Sequence, residues 1–253
     1  MESDDRLHVI APIEEGRMRR PGIVGHRALH PREVVQANGL SVVGLADTWV
    51  DLGELIGPGK PVGLDDLIVV GDAIAARLGS VIPLATALAR RVRPRGKLTL
   101  VEALAEIRVG ARSPRETLTR LMLTRCGLPE PELNQAVISS TGELLGVADL
   151  LWKEERVVGE YQGLEFHDDQ EQRDHDQIRF EGFAADAWQV EEVWRDDMVD
   201  TCARRACVVR FAEALRFDVS ALLLSNAEPR FFSRHVMDLA LQRSESWSRR
   251  RSA

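Results

Sequence analysis

Aromatic residues are scarce in this chain: 5% of its 253 residues, with a single tyrosine. A surface that holds single strands mainly by stacking needs more of them. Positive charge is not in excess either. The formal net charge is −7, so the basic balance that announces a nucleic-acid binder is missing, although a local basic face is enough for binding. The three cysteines, Cys126, Cys202 and Cys207, form no CxxC pair and are too few for a disulfide scaffold; they read as reduced, structural thiols. No apolar run reaches membrane-spanning length, since Leu67 to Leu78 is interrupted by Asp72 and Arg77. The segment Met1 to Arg6 is acidic and polar, unlike a signal peptide. The expectation is a cytoplasmic protein with no membrane partner. What the chain does have, 44% hydrophobic and 29% charged residues, suits one large or two modest globular domains.

Residues 1–45 read as short extended pieces between turns, with strands expected at Leu7–Ile10, Ile23–Val24 and Ser41–Val43. Helices then dominate. They are expected over Ala46–Leu55, Leu64–Leu78, Leu84–Val92 and Leu98–Val109, from apolar residues at helical spacing. Arg90, Arg91, Arg93, Arg95 and Lys97 cluster around Pro94 and Gly96; such a cluster reads as a solvated face or as a DNA contact. A boundary falls near Gly110. Beyond it, Ser113-Pro114-Arg115-Glu116 has the marks of a helix start, with Ser at the N-cap, Pro at the first position and Glu at the third. That helix runs to about Cys126 and opens an αβββαβ order. Its strands are Leu133–Ser139, Leu144–Trp152, Val157–Tyr161 and Trp188–Trp194, with a charged helix over Asp168–Ala185 before the last strand. A helix over Asp197–Leu215 follows, then a tail with Phe231-Phe232 and the run Arg249–Arg251.

The chemistry concentrates in Gly146–Trp152 and Val157–Gly163. Each run sets an acidic residue, Asp149 or Glu160, inside an apolar strand. A carboxylate there is costly unless it is paired or binds a cation. Two strands joined by the turn Lys153–Arg156 bring both acids to one end of a hairpin, where a divalent cation relieves their repulsion. Mg²⁺ suits the task, with Mn²⁺ as a substitute, because it takes one or two carboxylates plus water and phosphate oxygens. Glu160 and Gln162 lie two apart on a strand and share a face. Glu160 is read as a metal ligand, the Tyr161 carbonyl as a further one, and Gln162 as the group that orients the attacking water.

The run from Ser113 to about Asp200 resembles the Vsr-like (very-short-patch-repair-like) nuclease domains of the PD-(D/E)XK superfamily. The matching marks are Ser113-Pro114-x-Glu116, Gly127-Leu128-Pro129, Asp149-Leu150, Glu160-Tyr161-x-Gly163, His167, Arg173-Asp174 and Trp188. The resemblance implies a restriction-endonuclease-like α/β fold, a mixed sheet flanked by helices, and a metal-dependent endonuclease that hydrolyses DNA. It also implies Glu116, Asp149 and Glu160 as acidic site residues and His167 as an accessory one. The superfamily's usual Lys is Gln162 here, which orients water but supplies no cation. Upstream, Gly25-His26-Arg27, Leu45–Trp49 and Asp51-Leu52 resemble the region preceding such domains in proteins similar to abortive-infection antitoxins of the AbiE type. Those proteins begin with a winged helix that has no counterpart in this chain.

The expected organisation is therefore an antitoxin-like, mostly helical region at 1–110, a nuclease-like domain at 111–225 and a tail at 226–253. DNA is the expected partner, with room for a homo-oligomer or a protein partner. The alternative is a decayed nuclease fold acting as an antitoxin-like regulator or DNA-binding protein; a third option is an interaction module using Phe231-Phe232. Simpler roles exist for single residues: Glu160 paired with Arg173 or Arg179, Glu116 as a capping residue, His167 as a loop histidine, and Trp188 as core.

Overall fold

A computed structural model of the chain describes residues 6–11, 16, 18–27, 30–56, 62–162 and 179–232. The fold class is mixed α/β. The described residues form two units, one holding those up to 74, 80–107 and 231–232, the other holding 75–79 and 108–230.

The first unit begins with two small sheets. Strands β1 (Leu7–Ala11) and β2 (Ile23–Arg27) pair in parallel. Strands β3 (Val34–Ala37) and β4 (Leu40–Val43) form an antiparallel hairpin. Strand β3 is absent from the sequence expectation, yet its signal is there. Asn38 and Gly39 have φ of 51° and 78°. A two-residue hairpin turn needs both values positive, and Asn-Gly adopts them with least strain.

Four helices follow: α1 (Leu45–Leu52), α2 (Leu64–Leu78), α3 (Ile82–Ala89) and α4 (Lys97–Glu106). Helix α2 has its expected bounds. Helix α3 is displaced toward its N-terminus, because Pro83 fits the first turn, where no N–H is required. Trp49, Leu64, Leu67, Ile68, Leu84 and Leu100 are fully buried. The Trp49 indole N–H donates to the Leu67 carbonyl at 2.9 Å, so the largest of these side chains leaves no polar atom stranded. Gly71 lies midway along α2, where a Cβ would fall 2.2 Å from Cδ1 of Ile107; the missing side chain is what lets Ile107 seat there.

One charge lies at the centre of this unit. Asp47 is wholly buried. It accepts from Arg90 and Arg91 at 2.8 Å each and from the Glu33 N–H at 2.8 Å. Arg91 also reaches Asp51 at 3.1 Å, and Arg32 grips Asp51 through two nitrogens. Arg91 is thus internal, not part of an outward basic face; Arg93, Arg95 and Lys97 are exposed. In the same unit the Leu64 N–H donates to the Phe231 carbonyl at 3.0 Å, while the Phe231 ring is largely exposed.

The second unit carries the sheet β5-β6-β7-β8, formed by β5 (Glu132–Ile138), β6 (Leu144–Trp152), β7 (Val157–Gln162) and β8 (Gln189–Trp194). The first two pairings are antiparallel and the last is parallel. Helix α5 (Pro114–Arg125) precedes it, helical residues 179–185 (α6) lead into β8, and α7 (Thr201–Ala214) follows. Adjacent strand residues serve opposite faces, as the pleat demands. Val157 joins Leu150, Trp152 and Val193 against Met122 and Leu123 of α5 and Val208 and Phe211 of α7. Val158 joins Leu151, Val137 and Trp188 against Phe183 of α6. Trp188 is core. The expected Asp197–Leu215 helix divides into a 3-10 turn, Arg195–Met198, and α7. Asp200 makes the division, because its carboxylate accepts from the N–H groups of Cys202 and Ala203 at 2.7 and 2.9 Å, as an N-cap does. No single helix among the described residues is long and apolar enough to cross a membrane.

The Asp47 cluster sets a stability test. Replacing Asp47 by Ala takes from the buried Arg91 one of its two carboxylate partners and from the Glu33 N–H its acceptor; breaking a buried pair typically costs about 3–5 kcal/mol. Urea unfolding of Asp47→Ala should show a loss of that size; a change within experimental error would mean that the cluster does not hold the first unit together.

Candidate active site

The site grows from three places in the second unit. The first is the start of α5. Ser113 is the N-cap, and its hydroxyl accepts from the Glu116 N–H at 3.2 Å. The Glu116 carboxylate turns back and accepts from the Arg112 N–H at 2.8 Å and from the Asn134 amide at 2.6 Å. Glu116 is buried. It therefore does cap the helix, and it also brings a negative charge to the end of the sheet.

The second place is the middle of β6. Leu150 and Trp152 belong to one core and Leu151 to the other, yet Ala148, two residues before Leu150, lies with Leu151. Strict alternation breaks at Asp149. Across the strand pair, between Leu133↔Leu150 and Gln135↔Ala148, stands Asn134 with φ of 50°, a left-handed conformation that Asn tolerates better than most residues. Its amide also donates to the Gly110 carbonyl at 2.9 Å.

The third place is the end of β7. The β6–β7 ladder runs from Trp152↔Val157 to Leu150↔Gly159 and stops there. The same register would next pair Asp149 with Glu160. Instead, the Tyr161 N–H donates to the Asp149 carboxylate at 3.0 Å. Burial pushes the Asp149 carboxyl above the ordinary carboxylate range. The Tyr161 N–H pulls it down, the Glu116 charge pushes it up, and Arg179 and Arg112 pull it down in turn. Asp149 and Glu116 thus feel one another through a partly desolvated space.

Glu160 is 5% exposed, and Arg179 of α6 lies 3.3 Å from its carboxylate. Of the two arginines the sequence offered as its partner, Arg179 is in contact and Arg173 lies outside the described residues. The Gln162 amide donates to Glu192 of β8 at 2.9 Å. The Tyr161 ring is partly buried against the core shared by α5 and α7, which leaves its backbone as the part of the residue directed at the site. His167 lies outside the described residues, as does most of the expected 168–185 helix.

Asp149 therefore meets Glu116 and the Tyr161 N–H, while Glu160 and Gln162 on β7 have Arg179 and Glu192 as their neighbours. Among the described residues, no group of three His, Cys, Asp or Glu side chains is placed to hold a metal ion. Three further residues belong to the neighbourhood: Asn134, Arg179 and Glu192. Asn134 looks like an ordinary polar residue of a strand, and only the register puts it opposite Asp149. Glu192 sits in the pair Glu191-Glu192 between apolar residues of β8, the same pattern that singled out Asp149 and Glu160. The chain matches no family model, no curated protein and no solved structure.

A carboxyl with a raised pKa favours folding while protonated and disfavours it once ionised, so the stability it confers is lost as pH rises through the folded-state pKa. Asp149→Asn keeps an oxygen for the Tyr161 N–H and removes the charge. It should raise Tm near neutral pH, each 1 kcal/mol being worth about 2–4 °C in a chain of this size. The gap should close on acidification. A Tm below wild type at neutral pH would show that the Asp149 charge is fully compensated in the fold.

Proposed function

We propose that the second unit is a metal-dependent nuclease of the PD-(D/E)XK type that hydrolyses DNA phosphodiesters. One observation carries the reading: Asp149, set at a break in β6, is pressed by burial and by the Glu116 charge beside the end of β7, where Glu160-Tyr161-Gln162 follows. The burial of Asp149 and the Glu116 charge beside it leave that carboxyl raised above its ordinary range. Carboxylates suit a hard divalent cation, which takes few protein ligands and keeps its waters. The αβββαβ order, with the last strand parallel, supports the same reading.

The proposed donors are hard oxygens, the type that Mg²⁺ and Mn²⁺ take, with Arg179 standing 3.3 Å from the Glu160 carboxylate. Asp149, Glu160 and the Tyr161 carbonyl would hold the ion, and two carboxylates with one carbonyl suffice where water and phosphate complete the shell. Bound there, the ion would acidify a water and offset charge on the scissile phosphate. The chain's own residues do the rest. Glu116 adds negative charge that holds the cation and keeps Asn134 against the strand. Gln162 orients the water. His167, by the resemblance alone, stands as an accessory site residue. The three free cysteines suit a cytoplasmic protein.

A second reading is favoured by the Arg179–Glu160 ion pair. A guanidinium already neutralises one of the two proposed ligands, as in a nuclease fold that has lost its chemistry and acts as an antitoxin-like, DNA-binding regulator.

Plasmid nicking across Mg²⁺ and Mn²⁺ separates the two. The nuclease reading expects metal-dependent nicking by the wild type that falls to background in Asp149→Asn, with the fold retained by circular dichroism. Metal-stimulated nicking that survives Asp149→Asn would remove Asp149 from the chemistry. An absence of calorimetric Mg²⁺ or Mn²⁺ uptake by the wild type would leave the regulatory reading in its place.

A further inference from the structure

A Pro-Gly turn folds a basic stretch back over the small parallel sheet of the first unit. The Ile23 N–H donates to the Arg20 carbonyl at 3.1 Å, with Pro21 and Gly22 between them. Gly22 has φ of 73°, as a type II turn requires at that position. The Gly22 carbonyl accepts from the Leu7 N–H at 2.9 Å, which ties the turn to β1. On β2, Gly25 is buried, and a Cβ there would overlap the Met18 carbonyl oxygen. The absence of a side chain at Gly25 is what lets the stretch from Met18 to Arg20 lie against the strand.

This arrangement leaves one cavity of about 400 Å³, lined by Arg6, Arg19 and Arg20 together with Met18, Pro21 and Ile23. Small-molecule sites span about 300–1,000 Å³. Arg19 and Arg20 are exposed and make no ion pair among the described residues. The described residues between 6 and 27 also include Arg27, His8 and His26, and hold no Asp or Glu. On a chain of net charge −7, this is a local concentration of the opposite sign.

Two kinds of surface meet in the cavity, and each selects a part of the ligand. Guanidinium forks match phosphate oxygens bidentately. A phosphate monoester carries a charge of about −1.5 to −2 at neutral pH, which two arginines balance. The apolar lining does not suit a bare ion or a sugar, whereas a nucleobase has a flat face that packs against it and against a guanidinium plane. We propose that this cavity binds a nucleotide by its phosphate monoester, with the phosphate on Arg19 and Arg20 and the base against Met18, Pro21 and Ile23. A free nucleotide and the 5′-phosphorylated end of a strand present the same group. The site belongs to the first unit alone and is independent of the metal reading of the second.

Calorimetric titration of the full chain, without added metal, tests the assignment. The probes are adenosine 5′-monophosphate, adenosine, and a short oligodeoxyadenylate with and without a 5′-phosphate. Adenosine should bind at least about tenfold more weakly than its monophosphate, the scale of a hydrogen bond to a charged group. Arg19→Ala and Arg20→Ala should each weaken phosphate-dependent binding by a similar factor. Arg20→Lys keeps the charge but loses the fork, and should fall between Arg20→Ala and the wild type. Arg93→Ala, at an exposed cation elsewhere in the unit, should bind as the wild type does. Saturable binding of the monophosphate assigns the site to free nucleotides; binding of the phosphorylated strand alone assigns it to strand ends. The proposal is overturned if neither binds, if removing the 5′-phosphate changes nothing, or if the Arg19→Ala, Arg20→Ala double variant binds as tightly as the wild type. Binding of both strands alike, lost equally in Arg93→Ala, would mark a general basic surface in place of a site.

Discussion

The second unit turns on one hydrogen bond, from the Tyr161 N–H to the Asp149 carboxylate. Between Trp152↔Val157 and Leu150↔Gly159 the hairpin is an ordinary ladder. At the next step a side chain takes the place of a backbone carbonyl. Asn134, in its left-handed conformation on the far side of β6, carries the same break into β5. The cost of holding Asp149 there is visible in its raised carboxyl pKa.

Two partly or fully buried aspartates in this chain show how differently such a charge can be treated. Asp47 is surrounded by Arg90, Arg91 and the Glu33 N–H; its charge is matched by cations and its place is structural. Asp149 receives one backbone N–H and has Glu116 as an acidic neighbour. Arg179 and Arg112 offset that charge only in part, and the carboxyl stays above its ordinary range. The difference in surroundings is the physical ground for treating Asp149 as part of a site and Asp47 as part of the core.

The two faces of the sheet divide the labour. The α5 and α7 face is densely apolar, from Leu123 to Phe211, and anchors the hairpin. The α6 face is apolar around Phe183 and Trp188 but becomes polar toward the ends of β7 and β8, where Glu160, Gln162 and Glu192 lie. Arg179, one turn before Phe183 on α6, lies at that border, with its guanidinium on Glu160. Whether the site holds a foreign cation or this internal one is the difference between the two functional readings.

Much of this was legible in the residues. An acid inside an apolar run pointed to Asp149 and Glu160, and Ser113 with Glu116 marked a helix start that the structure bears out. The bounds of α2 and β6 followed from spacing alone, because apolar periodicity reflects burial that one element imposes on its own residues. Strand β3 and the cap at Asp200 are readable as well, from Asn38-Gly39 and from Asp before a helical run. What no local pattern contains is which residues meet across elements. That Asn134 faces Asp149, that Arg179 reaches Glu160, that Glu192 holds Gln162, and that Arg91 turns inward to Asp47 all depend on strand register and helix placement. These are set by packing over long sequence separations, so only the tertiary structure decided them.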